Sequence, residues 1–234
     1  GSLGRAQAKV LGAAGARLLL LDRPGDVRCE ELLAALDREG IKAEYLGQDL
    51  NDLSGTHNAI SSAASRVGVD VLINNAAVIV NRPFEEFTLE EYEQQIRVNS
   101  SAAFVAAQAV APSMRERRAG SIINFSSLTR NGQWTGYAPY AASKGAIVAL
   151  TTTLARELGS HGIRVNAITP GAVQSEAEER VFGHKLAEYQ DWILERQCLK
   201  QRIQPEDIAQ LVLFVASDRS KMITGQEIHM NAGW

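Results

Sequence analysis

Four short, nearly uninterrupted apolar runs recur along the chain: ARLLLLD (16–22), VDVLINNA (69–76), GSIINFSS (120–127) and GIRVNAITP (162–170). Runs of this length without polar alternation read as strands buried on both faces. Between them, residues 5–14, 26–39, 52–67, a long stretch from Thr88, 139–158 and 205–217 carry helical spacing. Gly15 and Gly40 stop two of these helices, and Pro139 and Pro205 suit the first turns of two others. KAEYLGQD (42–49) and GQEIHMNAG (225–233) read as further strands. Buried strands separated by helices need a crossover after each strand, so the expected fold is α/β, a doubly wound, mostly parallel sheet.

A length of 234 residues suits one large α/β domain or two small ones. No linker, repeat or low-complexity tract divides the chain, so one domain over 1–234 is expected. Residues 172–204 stand apart: they are charged, partly helical and not followed by a strand, the pattern of a lid beyond a strand's carboxyl end. Hydrophobic residues at 45% and charged residues at 22% supply a core, and a net charge of −3 lacks the basic face of a nucleic-acid binder. No apolar stretch reaches the roughly 20 residues that span a bilayer. Cys29 and Cys198 read as free thiols of a reducing compartment, the cytoplasm, and His57, His161, His184 and His229 form no metal-binding pattern.

In an open parallel sheet, ligands bind outside the carboxyl ends of the strands. Asp22, Asp49, Asn74 to Ala77, Ser126–Ser127 and Pro170–Gly171 fall there. The opening stretch GSLGR, a glycine-bearing turn entering a helix, has the form of a phosphate-binding loop whose launching strand is not in front of it. The expectation is a severed loop, with the first strand of the sheet upstream of Gly1; a vector-derived Gly-Ser is the alternative. Asp22, ending the strand after that helix, suits a ribose diol and repels a 2′-phosphate, so NAD is expected over NADP, with Arg23 softening the preference.

Tyr140 and Lys144 lie four residues apart on one helix and share a face, with Ser127 at a neighbouring strand end. An ammonium beside a phenol favours the phenolate, which prepares the tyrosine to exchange a proton with an alcohol or carbonyl oxygen. A Tyr-x-x-x-Lys spacing on its own is also met as a plain surface pair.

In combination the motifs resemble the short-chain dehydrogenases/reductases, in their compact single-domain, Rossmann-type branch. SIINFSS ends on Ser127, 13 residues before Tyr140 in YAASK; NNAA (74–77) is similar to the family's Asn-Asn-Ala-Gly; and Asn99 in IRVNSS lies 28 residues before Ser127. RVNAITPGAVQS and SKMITGQEIHMNAGW resemble the family's later segments. The resemblance implies a catalytic set of Asn99, Ser127, Tyr140 and Lys144, with Tyr140 as general acid/base, Lys144 binding the nicotinamide ribose and lowering the Tyr140 pKa, Ser127 orienting the carbonyl and Asn99 holding a relay water. It assigns cofactor contacts to Ser2, Leu3, Gly4, Asp22, Arg23, Asp49, Leu50, Asn75, Ala76, Ala77, Tyr140, Lys144, Pro170, Gly171, Val173 and Ser175. The implied activity is hydride transfer between NAD(H) and a small secondary alcohol or carbonyl, in a homotetramer.

Thr129, Gln133 and Trp134, with neighbouring Leu128, are expected to face the substrate; Glu176, His184, Tyr189 and Trp192 are lid residues that join them. The mixture suits a small or mid-sized polar substrate against an aromatic wall. Ala77, and Asn231–Ala232 near the end of the chain, depart from the family's usual glycine and Asp-Gly; the latter pair is expected to lie away from the chemistry. A catalytically silent dinucleotide-binding sensor or scaffold is the rival reading, against which the intact tetrad argues.

Overall fold

The computed structural model describes residues 1–234. In chain order the elements are α1 (Ser2–Ala13), β1 (Leu18–Asp22), α2 (Val27–Arg38), β2 (Ala43–Gly47), α3 (Leu53–Val67), β3 (Val71–Asn74), α4 (Leu89–Ile96), α5 (Ala102–Arg117) and β4 (Gly120–Phe125). They continue with α6 (Ala138–Leu158), β5 (Ile163–Pro170), α7 (Glu176–Phe182), α8 (Leu186–Arg196), α9 (Pro205–Ala216) and β6 (Glu227–Met230). Every strand pairing is parallel, in two ladders: β1 with β2, and β3-β4-β5-β6. The α/β reading holds. No ladder joins β1 to β3.

That division corrects one expectation. Runs 16–22 and 69–76 read as fully buried, yet β1 beyond Leu18 and all of β3 are only half-buried. Each has a ladder on one edge alone, whereas β4 and β5 are paired on both edges and almost wholly buried.

Strand alternation sends β4 side chains to two opposite cores. Ile122 joins Val110 and Met114 of α5, Leu158 of α6 and Val165 of β5. Ile123 and Phe125 join Ile168 of β5 and Ile208, Val212 and Val215 of α9, with Leu3 and Leu11 of α1 against that cluster. α5 brings a run of alanines, Ala106, Ala107, Ala109 and Ala111, to the first core. Small side chains let it lie close to the sheet at close-packed density.

Polar side chains then lock the elements that carry the site. Asn74 Nδ2 donates to Asn124 Oδ1 (2.8 Å), and Asn124 Nδ2 to Thr151 Oγ1 (2.9 Å), tying β3 to β4 and β4 to α6. Thr88 and Glu91 form a reciprocal cap on α4, which passes into a single π-helical turn at Arg97–Ser101. Such turns displace side chains from the regular helical face and are common at functional sites.

Three further points differ from the sequence reading or refine it. Ser2, Leu3 and Gly4 are not loop but the first turn of α1, closed by Arg5 N–H donating to Gly1 C=O at 3.1 Å. Residues 172–204 leave and return at one place, since Val173 and Ile203 form a parallel bridge at the base of α7 and α8. No helix is long and apolar enough to cross a membrane.

Candidate active site

α6 begins at Ala138 with Pro139 in its first turn, placing Tyr140 and Lys144 on its inward face; they are 8% and 2% exposed. Lys144 Nζ donates to Phe125 C=O at the end of β4 (2.7 Å) and stands 5.6 Å from the centre of the Tyr140 ring. Ser127, two residues past β4, stands beside the Tyr140 hydroxyl. Its Oγ lies 2.9 Å from Thr129 Oγ1 and accepts from Thr129 N–H. Asn99 comes off the π turn and is 3% exposed. It clamps the backbone of Val78 from both sides, accepting from its N–H (2.7 Å) and donating to its C=O (2.9 Å), and donates also to Ser143 Oγ (3.0 Å). Ser143 in turn donates to Tyr140 C=O at 2.7 Å. All four residues of the expected set therefore converge. Ser143 was not anticipated, although its i,i+3 position to Tyr140 puts it on the same helical face.

Burial dominates the electrostatics. The Tyr140 phenol is pushed up to about 12 by loss of solvent, against which the Ser127 hydrogen bond acts. Lys144 is brought down to about 8 by the same burial. Burial is thus the main influence on both groups, because each loses solvation of its charged form.

The expected cofactor contacts line one rim. α1 starts at Ser2 with no side-chain cap, so its first N–H groups are free of side-chain acceptors. A Cβ on Gly4 would stand 3.6 Å from Asn75 Nδ2, and Asn75 Oδ1 accepts from Gln7, so the NNAA segment abuts the start of α1. Ala76 and Ala77 are exposed. Asp49 is exposed and bonds Asn51 while Leu50 is half-buried. Gly171 N–H donates to Met230 C=O (2.9 Å), Val173 is buried at the base of the lid, and Ser175 caps α7 by accepting from Glu178 N–H. Ser2 Oγ accepts from Glu176 N–H, and the Glu176 carboxylate pairs with Arg5. Glu176 thereby ties the lid to the start of α1 rather than facing the substrate side. His184 is exposed in the turn between α7 and α8, outside the aromatic cluster, and Leu128 turns inward, 6% exposed.

The remaining aromatic residues close into one cluster. Trp134 stacks on Trp234 (4.6 Å between ring centres) and meets Trp192 edge-on (5.5 Å), while Trp192 lies 5.2 Å from Trp234. Tyr189 stacks on Phe182 (3.8 Å) and approaches Trp192 (5.9 Å). Gln133 accepts from the Trp234 indole N–H. Tyr137, three residues after Trp134, has its ring centre 6.2 Å from that of Tyr140. Trp234 was missed, and the placing of Asn231–Ala232 away from the chemistry was incorrect. Gly171 packs on Asn231, where a Cβ would come within 2.8 Å of its Cα, so this segment adjoins the site and delivers Trp234 to it. Parallel pairing of β5 with β6 brings the two together, a neighbour relation that periodicity does not encode.

A family profile described as enoyl-(acyl carrier protein) reductase matches residues 1–234. Carbonyl reductase [NADPH] 2 of Sus scrofa is 35% identical over 234 residues, covering 99% of this chain and 91% of that protein. D-xylose 1-dehydrogenase of Caulobacter vibrioides is 36% identical over 221 residues, covering 94% and 86%. The structure of a gluconate 5-dehydrogenase from Burkholderia cenocepacia J2315 in complex with NADP and tartrate superposes with a TM-score of 0.91 at 30% identity, covering 99% of this chain and 90% of that one. The chain belongs to the short-chain dehydrogenase/reductase family. It is an NAD(P)-dependent oxidoreductase acting on alcohol or carbonyl substrates.

The expected preference for NAD does not stand: the porcine relative is named for NADPH and the Burkholderia structure holds NADP. The strand end also differs from the picture that led to NAD. Asp22 Oδ1 is occupied by Arg23 N–H (2.8 Å), and the Arg23 side chain is 70% exposed beside it. Arg28 stands next to this pair, its guanidinium bonded to Asp26. Two guanidinium groups therefore stand at this strand end, both drawn to Asp26 and neither paired with Asp22.

Proposed function

We propose that Tyr140 is the proton-transfer residue of an NADP(H)-dependent interconversion of a carbonyl and a secondary alcohol. The observation that carries this reading is the buried convergence of Tyr140, Lys144 and Ser127, with Asn99 holding α6 through Ser143. The nicotinamide, when bound, supplies or accepts the hydride. In carbonyl reduction the protonated Tyr140 gives its proton to the developing alkoxide, and Ser127, steadied by Thr129, hydrogen-bonds the same oxygen. Lys144, tethered to Phe125 C=O, keeps its amine beside the tyrosine ring. In oxidation the proton runs the other way.

The residues present fit a dinucleotide phosphate. The uncapped N-terminus of α1 offers N–H donors to a pyrophosphate, and Arg23 with Arg28 suits a 2′-phosphate. Ser2, Leu3, Gly4, Asp22, Asp49, Leu50, Asn75, Ala76, Ala77, Pro170, Gly171, Val173 and Ser175 complete the proposed cofactor rim, and Thr129, Gln133 and Trp134 the substrate side. Residues 172–204 act as the lid, hinged at the Val173–Ile203 bridge. The protein works as a cytoplasmic homotetramer in this reading, in keeping with its two free thiols and with the exposed apolar residues Phe84, Leu89 and Phe104. A panel of secondary alcohols and ketones, followed at the nicotinamide absorbance with both cofactors, tests the proposal; no turnover of any member despite tight cofactor binding would replace it with the silent-sensor reading.

A further inference from the structure

The lid contains an ion pair that the chemistry above does not use. Arg202, just before α9, bonds Glu178 of α7, and the two side chains are 9% and 6% exposed. Arg202 Nη2 also donates to Ala172 C=O (3.4 Å), in the loop that follows Pro170–Gly171. Buried side-chain nitrogens and oxygens normally each find a hydrogen-bond partner. Here Nε and Nη1 of Arg202 have no acceptor, and Oε1 of Glu178 has no donor. Unused donors and an unused acceptor thus stand together on one buried pair.

The pair also belongs to the substrate side. Glu178 stands one helical turn before Phe182 on α7, and Phe182 stacks on Tyr189, which approaches Trp192 and through it Trp134. Trp134 lies three residues before Tyr137, whose ring centre is 6.2 Å from that of Tyr140, so the aromatic cluster adjoins the proposed acid/base.

We propose that Glu178 and Arg202 form a subsite for a vicinal pair of substrate hydroxyls, so that the enzyme takes a polyhydroxylated compound such as a sugar. The inference rests on the oxidoreductase reading above and deepens it. The charges already balance within the pair, so an anionic group would leave a buried net negative charge, which is costly. A neutral hydroxyl accepts from Arg202 and donates to Glu178 at the same time, and two adjacent hydroxyls satisfy both planar groups. Trp134, Trp192 and Trp234 alongside provide the flat apolar surface that the C–H face of a hydroxylated ring packs against.

The chain has three tryptophans, and all lie in this cluster, so intrinsic fluorescence reads the subsite without turnover. NADP-loaded protein is titrated with D-xylose, myo-inositol and cyclohexanol. The polyols should bind about tenfold or more tighter than cyclohexanol, the range expected for a hydrogen bond to a charged group. Arg202→Lys keeps the charge opposite Glu178 but lacks the Nε and Nη1 donors. It should weaken the polyols by about tenfold or more while cyclohexanol stays within about twofold. Glu178→Gln, nearly isosteric, should lower the same ratio. Equal binding of polyols and cyclohexanol by the wild type, or wild-type polyol affinity in Arg202→Lys, overturns the proposal and leaves a structural ion pair. Polyol binding without turnover of any alcohol overturns the catalytic reading instead.

Discussion

Asn99→Ala is expected to damage the scaffold of the site by an amount that can be estimated bond by bond. The Asn99 amide makes three hydrogen bonds, at 2.7 and 2.9 Å to Val78 and 3.0 Å to Ser143, from a position 3% exposed. Each is worth about 1 kcal/mol net, and a buried group left unpaired costs about 1–3 kcal/mol. Val78 is half-buried, so water recovers part of that penalty. The expected loss is therefore about 3 kcal/mol, or roughly 6–12 °C in Tm for a chain of this size. Asn99→Asp should not rescue it: one carboxylate oxygen keeps the Val78 N–H, but the other faces the Val78 carbonyl, where the amide formerly donated. Thermal unfolding by circular dichroism measures the first effect, and kcat/KM should fall as α6 loses its hold through Ser143. A Tm change under about 2 °C for Asn99→Ala would refute the claim that this residue clamps the loop after β3 to α6.

Ala232 has φ of 57°, in the left-handed region, so Ala232→Gly should stabilise the fold by about 1 kcal/mol, read by denaturant unfolding; a loss of stability would show that the methyl packs usefully. Because Lys144 titrates near 8 when folded and near 10.5 when unfolded, its burial penalty is full below pH 8 and is relieved as pH rises. Stability should climb from pH 8 toward 10 and lose that slope in Lys144→Met; above 10 the raised tyrosine Tyr140 reverses the trend, since its stabilising neutral form is lost as pH rises. The high Tyr140 pKa also keeps the acid form dominant at neutral pH, so oxidation kcat/KM should rise with pH while carbonyl reduction does not. Arg23→Ala should weaken NADPH by about tenfold and NADH far less, measured by fluorescence titration; equal losses would remove Arg23 from the 2′-phosphate site.

Most helices, every strand and the four converging residues were legible because hydrophobic periodicity and ordered motifs are local signals. Burial of β1 and β3 was overestimated because an apolar run cannot say how many of its edges are paired. The loop reading of Ser2–Gly4 failed for a local reason: their backbone closes a regular helical turn onto Gly1. Trp234, Arg202 and Glu178 stayed hidden because their significance comes from contacts across long sequence separations: the β5–β6 ladder and the lid's return at Ile203. Spacing puts an ammonium near Tyr140 but does not show how deeply the two groups are buried. NAD was favoured because the Asp22 carboxylate was weighed above its neighbour Arg23, while Arg28, which meets Arg23 at Asp26, was not in view.

Tyr140→Phe isolates the central claim, since it removes one hydroxyl and keeps the ring against Tyr137 and Lys144. Turnover in both directions should fall by about a thousandfold or more, within the range that acid–base catalysis supplies, with NADPH affinity within a few-fold of the wild type. Turnover retained within about tenfold would contradict the assignment of Tyr140 as the group that moves the proton.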